Sequence, residues 1–217
     1  MTPQLVPLPG PIGTQFPAVQ VISARDALDE IQPADIMICS GRSADSVIIE
    51  HVTDCPWCHV AMFWPMEMSG IKTMMVIEAV GGYGVRMYPI ENMMVDFDGT
   101  GQAYPGRILV ARHRDMAAVI ADKGQLNCAY NYSTALLGHK YDDGEIARIA
   151  ARFVRTIFGD NAPVNIDFSR PEYICSVEAA AVLHLIGIQI QPGPLGITPK
   201  DFALDPNVEP VFEIEVG

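Results

Sequence analysis

Three residues of this chain carry the side chains of an activated sulfur nucleophile: Cys175, His59 and Glu78. Cys175 lies near the start of ICSVEAAAVLHLIGI, which reads as a helix. Amide groups and the macrodipole at a helix start favour a thiolate there. His59 opens the strand-like run HVAMFW, and Glu78 sits near the end of the next one, TMMVIEAV. On adjacent antiparallel strands two such side chains can share one face within hydrogen-bonding reach. An imidazole beside the thiol takes its proton, and a carboxylate behind the imidazole fixes its tautomer and stabilises its charged form. That set would perform acyl transfer through a thioester. A plainer reading stands beside it: a cysteine in an apolar helix fills core, and a histidine at a strand start is simply satisfied there.

The most conspicuous motif is a different one. Cys55-Pro56-Trp57-Cys58-His59 matches C-x-x-C-H, the attachment pattern of c-type haem, and its C-P-W-C part matches a thioredoxin-type pair. Adding His51 gives H-x₃-C-x₂-C-H, a candidate zinc set. Each reading meets a physical difficulty. Haem attachment needs an exported context. A redox pair needs a helix start after it, and here a strand follows. A structural zinc site wants a second ligand pair at a distance, and the chain has no other C-x-x-C. A zinc or redox binding protein built on Cys55 and Cys58 therefore stands as an alternative.

The elements that must position these residues follow from patterning. A short helix is expected over Ser23–Ile31 with Ser23 as its cap, then strands over Asp35–Cys39, His59–Trp64 and Thr73–Val80, with a helix over Ser43–Glu50 between the first two. Further strands are expected over Gly84–Ile90, Gly106–Arg112 and Val211–Val216, and a helix over Arg114–Ala121. The clearest helix is Asp143–Phe158, where Ile146, Ile149, Phe153, Val154 and Ile157 recur on one face, with Asp142, Asp143 and Glu145 at its start. The Ala-rich helix Cys175–Ile186 is closed by Pro192 and Pro194, and Thr198-Pro199 starts another. Residues 1–16 hold four prolines and two glycines, so residues 1–22 are expected as an extended arm and 23–217 as one α+β domain.

Composition narrows the partners. Of 217 residues, 49% are hydrophobic and 18% charged, a globular balance. With 14 Lys+Arg against 26 Asp+Glu the net charge is −12, which repels a polyphosphate backbone and argues against nucleic acid. The longest apolar stretch, 177–190, contains Glu178 and His184 and is too short to span a bilayer. The first residues, MTPQLVPLPGPIG, lack a basic region and an apolar core, so no signal peptide and a cytoplasmic location are expected. Five cysteines, an odd number, argue against a disulfide framework. His51, His113, His139 and His184 show no partner pattern. The Met-rich runs read mostly as core, though some Met could line an apolar pocket for an acyl chain.

The segment ADIMICSGRSADSVIIEHVTDCPWCHVAMFW resembles the opening of the NlpC-type cysteine peptidase superfamily. There a G-D-I/L strand leads to an H-V-G-I strand, and the next strand carries a polar residue; Asp35, His59 and Glu78 occupy those positions here. The nucleophile normally precedes these strands. In this chain it follows, in YICSVEAAAV, as in the circularly permuted papain-like amidases of YaeF/YiiX type, related to lecithin:retinol acyltransferase-like enzymes. GVRMYPI, LGHKYDDGEIARI and GITPKDFALDP extend the resemblance, by motif order, to residues 34–213. The chain departs at Ala34 and Ala61, where glycine is usual, and at Val177, where the family has Glu; here Glu178 follows one place later. The resemblance implies an α+β papain-like fold of circularly permuted topology, with an antiparallel sheet packed against helices. It implies Cys175 as nucleophile, His59 as general base and then acid, Glu78 as orienting residue and Tyr141 as a substrate or oxyanion contact. It implies no metal and no cofactor. The Cys175 amide, at a helix start, is a natural oxyanion donor. The substrate would be a peptide-like amide. The alternative is a lipid acyl ester, with acyltransferase or phospholipase chemistry.

Overall fold

The computed structural model describes residues 5–6, 19–157, 172–192 and 196–216. Two short strands, β1 (Leu5–Val6) and β2 (Val19–Ser23), lead into α1 (Ala24–Glu30). Ser23 caps that helix, its hydroxyl accepting from the Asp26 amide at 3.1 Å. Then come β3 (Ile36–Cys39), α2 (Ala44–Thr53), β4 (His59–Met68), β5 (Ile71–Val80) and β6 (Gly84–Pro89). After α3 (Glu91–Val95) follow β7 (Ile108–His113), α4 (Met116–Ala121), α5 (Lys123–Ala135), β8 (Lys140–Tyr141) and α6 (Asp143–Ile157). The chain ends with β9 (Glu172–Tyr173), α7 (Cys175–Leu185), α8 (Pro199–Leu204) and β10 (Val208–Glu215).

The fold is α+β. One sheet runs in the order β1-β2-β10-β7-β3-β4-β5-β6, and β8 and β9 form a separate pair. The main sheet is antiparallel except where β10 pairs parallel with β2. The boundary expected between residues 22 and 23 falls inside β2; most of the expected arm, together with Phe158 and Pro194, lies outside the described residues. Of the expected apolar face of α6, Ile149 is buried, and the other four side chains lie outside those described. Asp142 starts that helix, its carboxylate accepting from the Glu145 amide at 3.0 Å.

Period-two alternation buries both sheet faces. Ile36, Ile38, Val60, Met62, Trp64, Ile77 and Ala79 join one apolar cluster, with Ala129 of α5, Ala179–Leu183 of α7 and Phe202 of α8. Met37, Cys39, Ala61, Phe63, Met74 and Val76 join the other, with Ala27 of α1 and Met93 of α3. Six of the eleven residues of α7 are buried alanines, aliphatics and Cys175, as befits a helix lying on a sheet. Its small side chains let it approach β4 and β5 closely. Neither α3 nor α5 was expected. Lys123–Ala135 has six polar residues besides its tyrosines among KGQLNCAYNYSTA and little apolar periodicity; its cap, Asp122, accepts from the amides of Gly124 and Gln125.

Because three consecutive alanines seat α7, enlarging one tests that seat. Ala179→Leu is expected to cost about 1–3 kcal/mol by overpacking, measured by urea denaturation. It is also expected to slow alkylation of Cys175 by shifting the helix start.

Candidate active site

The site forms where two strands part. β4 and β5 are paired from Met68–Ile71 to Met62–Ile77, and the ladder stops there. The Phe63 amide donates to Asp35 on the β3 side, so alternation turns the amides of Met62 and Val60 toward β5. Beyond the last pair, the Val60 amide donates instead to the Cys175 sulfur, as does the Ser176 amide. Cys175 is the first residue of α7, and no side chain caps that helix. Its first-turn amides have no helical partner and are open to a sulfur or a developing oxyanion.

His59 is the first residue of β4. Alternation places its side chain on the same face as Ala61 and Phe63, and Glu78 of β5 on the face of Met74 and Val76. His59 Nε2 and Glu78 Oε2 are 2.6 Å apart. The Cys175 thiol hydrogen-bonds the same imidazole; with Nε2 engaged by Glu78, Nδ1 is the nitrogen left to face sulfur. The His59 side chain is 17% exposed and that of Glu78 is 4% exposed, so the pair is reached from one side only.

Burial disfavours every charge here, and neighbouring charges overcome it. For Cys175, burial opposes ionisation, but the His59 charge, its hydrogen bond and the two backbone amides lower the pKa. For His59, burial is outweighed by Cys175 and then Glu78, and its pKa rises to about 10. For Glu78, burial is outweighed by His59 and Arg86, and its pKa is lowered. The arrangement is a thiolate–imidazolium pair with a carboxylate behind it.

A cavity of about 400 Å³ opens onto this group. His59, Glu78, Cys175 and Tyr141 all line it, so the four residues singled out from sequence meet at one place. Gly84 makes room for Tyr141: a Cβ there would lie 2.2 Å from the His139 carbonyl, in a turn that feeds β8. Gly106 does the same for the opposite wall, where Tyr104 donates to the Ser40 carbonyl at 2.7 Å. Arg86 was not anticipated. Its Nε is 2.8 Å from Glu78 Oε1, and only the pairing of β6 with β5, Glu78 opposite Arg86, reveals it.

The C-P-W-C-H motif divides. Cys55 and Cys58 are buried thiols outside any disulfide, in the turn between α2 and β4. Cys55 follows the C-terminal end of α2, where the dipole disfavours a thiolate. Burial raises the Cys58 pKa to about 12, with Glu50 adding to it and a Ser46 hydrogen bond opposing. A reactive redox pair requires the reverse. Among the described residues, no group of three or more His, Cys, Asp or Glu side chains is placed to hold a metal ion.

Glu178 is the unexplained neighbour. It sits one turn after Cys175, is fully buried, and neither carboxyl oxygen has a hydrogen-bond partner. Burial first, and then the Cys175 charge, push its pKa up to about 8.

No protein-family model matches the chain, and no curated protein sequence matches it. A solved structure does: the crystal structure of metalloprotein yiiX from Escherichia coli O157:H7, DUF1105. It is 18% identical, covers 83% of this chain and 96% of its own, and superposes with a TM-score of 0.52. At this identity the likeness is one of fold. No helix among the described residues is long and apolar enough to cross a membrane.

A carboxyl whose pKa rises from 4.5 to about 8 on folding favours the folded state fully below pH 4.5 and loses that contribution as pH climbs through about 8. Glu178→Gln is therefore expected to match the parent near pH 4 and to be more stable at pH 8 and above, by at most about 5 kcal/mol. Thermal melts across this range check it.

Proposed function

We propose that this protein is a cysteine-nucleophile acyl hydrolase of the papain-like, NlpC-type kind in its circularly permuted form, acting on an amide-type bond. The observation that carries the reading is the hydrogen-bonded chain from Cys175 through His59 to Glu78 at one cavity. The likeness in fold to yiiX and the order of the chain, with His59 and Glu78 before Cys175, are consistent with it.

In this mechanism Cys175 Sγ attacks the substrate carbonyl carbon, and the oxyanion that forms is met by first-turn amides of α7. His59, already protonated by the thiol, gives its proton to the leaving amine, and the C–N bond breaks to leave a thioester. Water then enters, His59 takes its proton, the acid product leaves, and the thiolate is restored. Glu78 holds the imidazole oriented throughout and stabilises it whenever it is charged. Tyr141, on the cavity wall, is assigned to contact with substrate.

Polar groups in the cavity support the amide reading: Arg42, Ser43, Ser46, Arg86 and Asp98 line it, beside apolar Ile49, Val80, Phe97 and Pro105. Of the Met-rich runs, Met93 lines it, while Met62 and Met74 are buried in core.

Three outcomes are expected with an activated acyl ester and a panel of peptide amides and acyl lipids. Acid quenching should trap an acyl adduct on Cys175, read by peptide mass spectrometry. Cys175→Ala should abolish adduct and turnover, and His59→Ala should slow turnover by about 10²–10⁴-fold. The rate should hold on the alkaline side until pH nears 10, where His59 loses the proton it must donate. Full activity in Cys175→Ala would contradict the reading.

A further inference from the structure

Glu78 has two carboxylate oxygens and only one faces His59. Oε2 takes the imidazole at 2.6 Å; Oε1 takes Arg86, whose Nε lies at 2.8 Å and whose second terminal nitrogen lies at 2.7 Å. The guanidinium is itself fixed. Its other terminal nitrogen donates to Asp98 at 2.7 Å. Its flat faces lie within 4.4 Å of the Tyr83 ring centre and 4.9 Å of that of Tyr88. The donors toward the site are therefore committed, and the guanidinium lies over two aromatic rings.

We propose that Arg86 is a positioning residue of this site: it locks the Glu78 carboxylate so that Glu78 can hold the His59 imidazole toward Cys175. The assignment rests on the reading of Cys175 and His59 as the reacting pair. Glu78 is 4% exposed, and an almost buried carboxylate with one imidazole partner would have a free oxygen and two rotational choices. Arg86 removes both. It also supplies the positive charge that keeps a buried carboxylate ionised when His59 releases its proton. In the reaction His59 alternates between charged and neutral, so a second, permanent cation is needed to keep Glu78 an anion in both halves. Lysine would not serve equally, since an ammonium lacks the planar fork that meets Glu78 and Asp98 while lying over the tyrosine rings.

Asp98 extends the device to the cavity wall. It lies in the turn Phe97–Gly99 with φ of 52°, a left-handed backbone that costs a non-glycine residue energy. That conformation aims its carboxylate at Arg86. A second cavity of about 240 Å³, walled by Tyr83, Tyr88, Phe97 and Asp98, lies against Arg86. The guanidinium is 20% exposed, so a small cation can reach its place when the side chain is cut back.

The test uses the whole protein and iodoacetamide, with modification of Cys175 followed by peptide mass spectrometry across pH. The exposed Cys128 is modified as well and serves as an internal standard. In the parent, Cys175 should react below its ordinary thiol pKa of 9.0. In Arg86→Ala the acid limb should move up by about 1–3 pH units, the size of effect an adjacent opposite charge has on a carboxylate. Millimolar guanidinium chloride should move it back. Asp98→Asn should shift it less, and Arg86→Lys should fall between parent and Arg86→Ala. Glu78→Gln should show the shift but no response to guanidinium. An unchanged limb in Arg86→Ala overturns the proposal, and so does a shift that guanidinium leaves in place while the melting temperature falls. If the parent itself shows no reactivity below its ordinary range, the underlying reading of the site fails instead.

Discussion

Charge alternation in a water-poor place is the constraint on which this site depends. From the start of α7 outward the groups run thiolate, imidazolium, carboxylate, guanidinium, carboxylate: Cys175, His59, Glu78, Arg86, Asp98. Burial opposes ionisation of the first three, and each is charged because its neighbour has the opposite sign. The fold serves this row. β4 supplies His59, β5 supplies Glu78, β6 supplies Arg86, and α7 supplies the sulfur at the point where β4 and β5 separate. Exposed, the same pairs would be worth little, since surface ion pairs contribute about 0–1 kcal/mol.

Much of this was legible in the sequence because alternation and caps are local. The strands bearing His59 and Glu78, the helix opened by Cys175, and the caps Ser23 and Ser43 all follow from neighbouring residues. So does the box made by Thr198 and Asp201. What could not be read locally was sheet order. β10 returns to pair parallel with β2 on one side and antiparallel with β7 on the other, a long-range choice that no short window encodes. Helix α5 was missed because its stability comes from packing Ala129 and Ser133 against its neighbours, with no apolar stripe to announce it. Arg86 was missed for a related reason. Its partner is eight residues away and visible only once the register of β5 and β6 is known.

The contrast between C-P-W-C-H and the single Cys175 shows what decides reactivity. Spacing made Cys55 and Cys58 conspicuous, yet one follows a helix end and the other is buried beside Glu50. Cys175 stands alone in sequence and has a helix start, two amides and an imidazole around it. Glu178 sharpens the point from the other side. A carboxyl in the same surroundings, without a cation in contact, is pushed toward its neutral form. Two acids buried a few residues apart in space thus end in opposite states, set by whether a positive partner is present.

The charge state of Cys175 is the central claim, and its thiolate absorbs in the ultraviolet independently of any substrate. Titration of that absorbance, taken as the difference between the parent and Cys175→Ala, tests it most directly. The account predicts a difference signal that persists below pH 9.0. A difference signal that grows in at or above pH 9.0, as for an ordinary thiol, would contradict it.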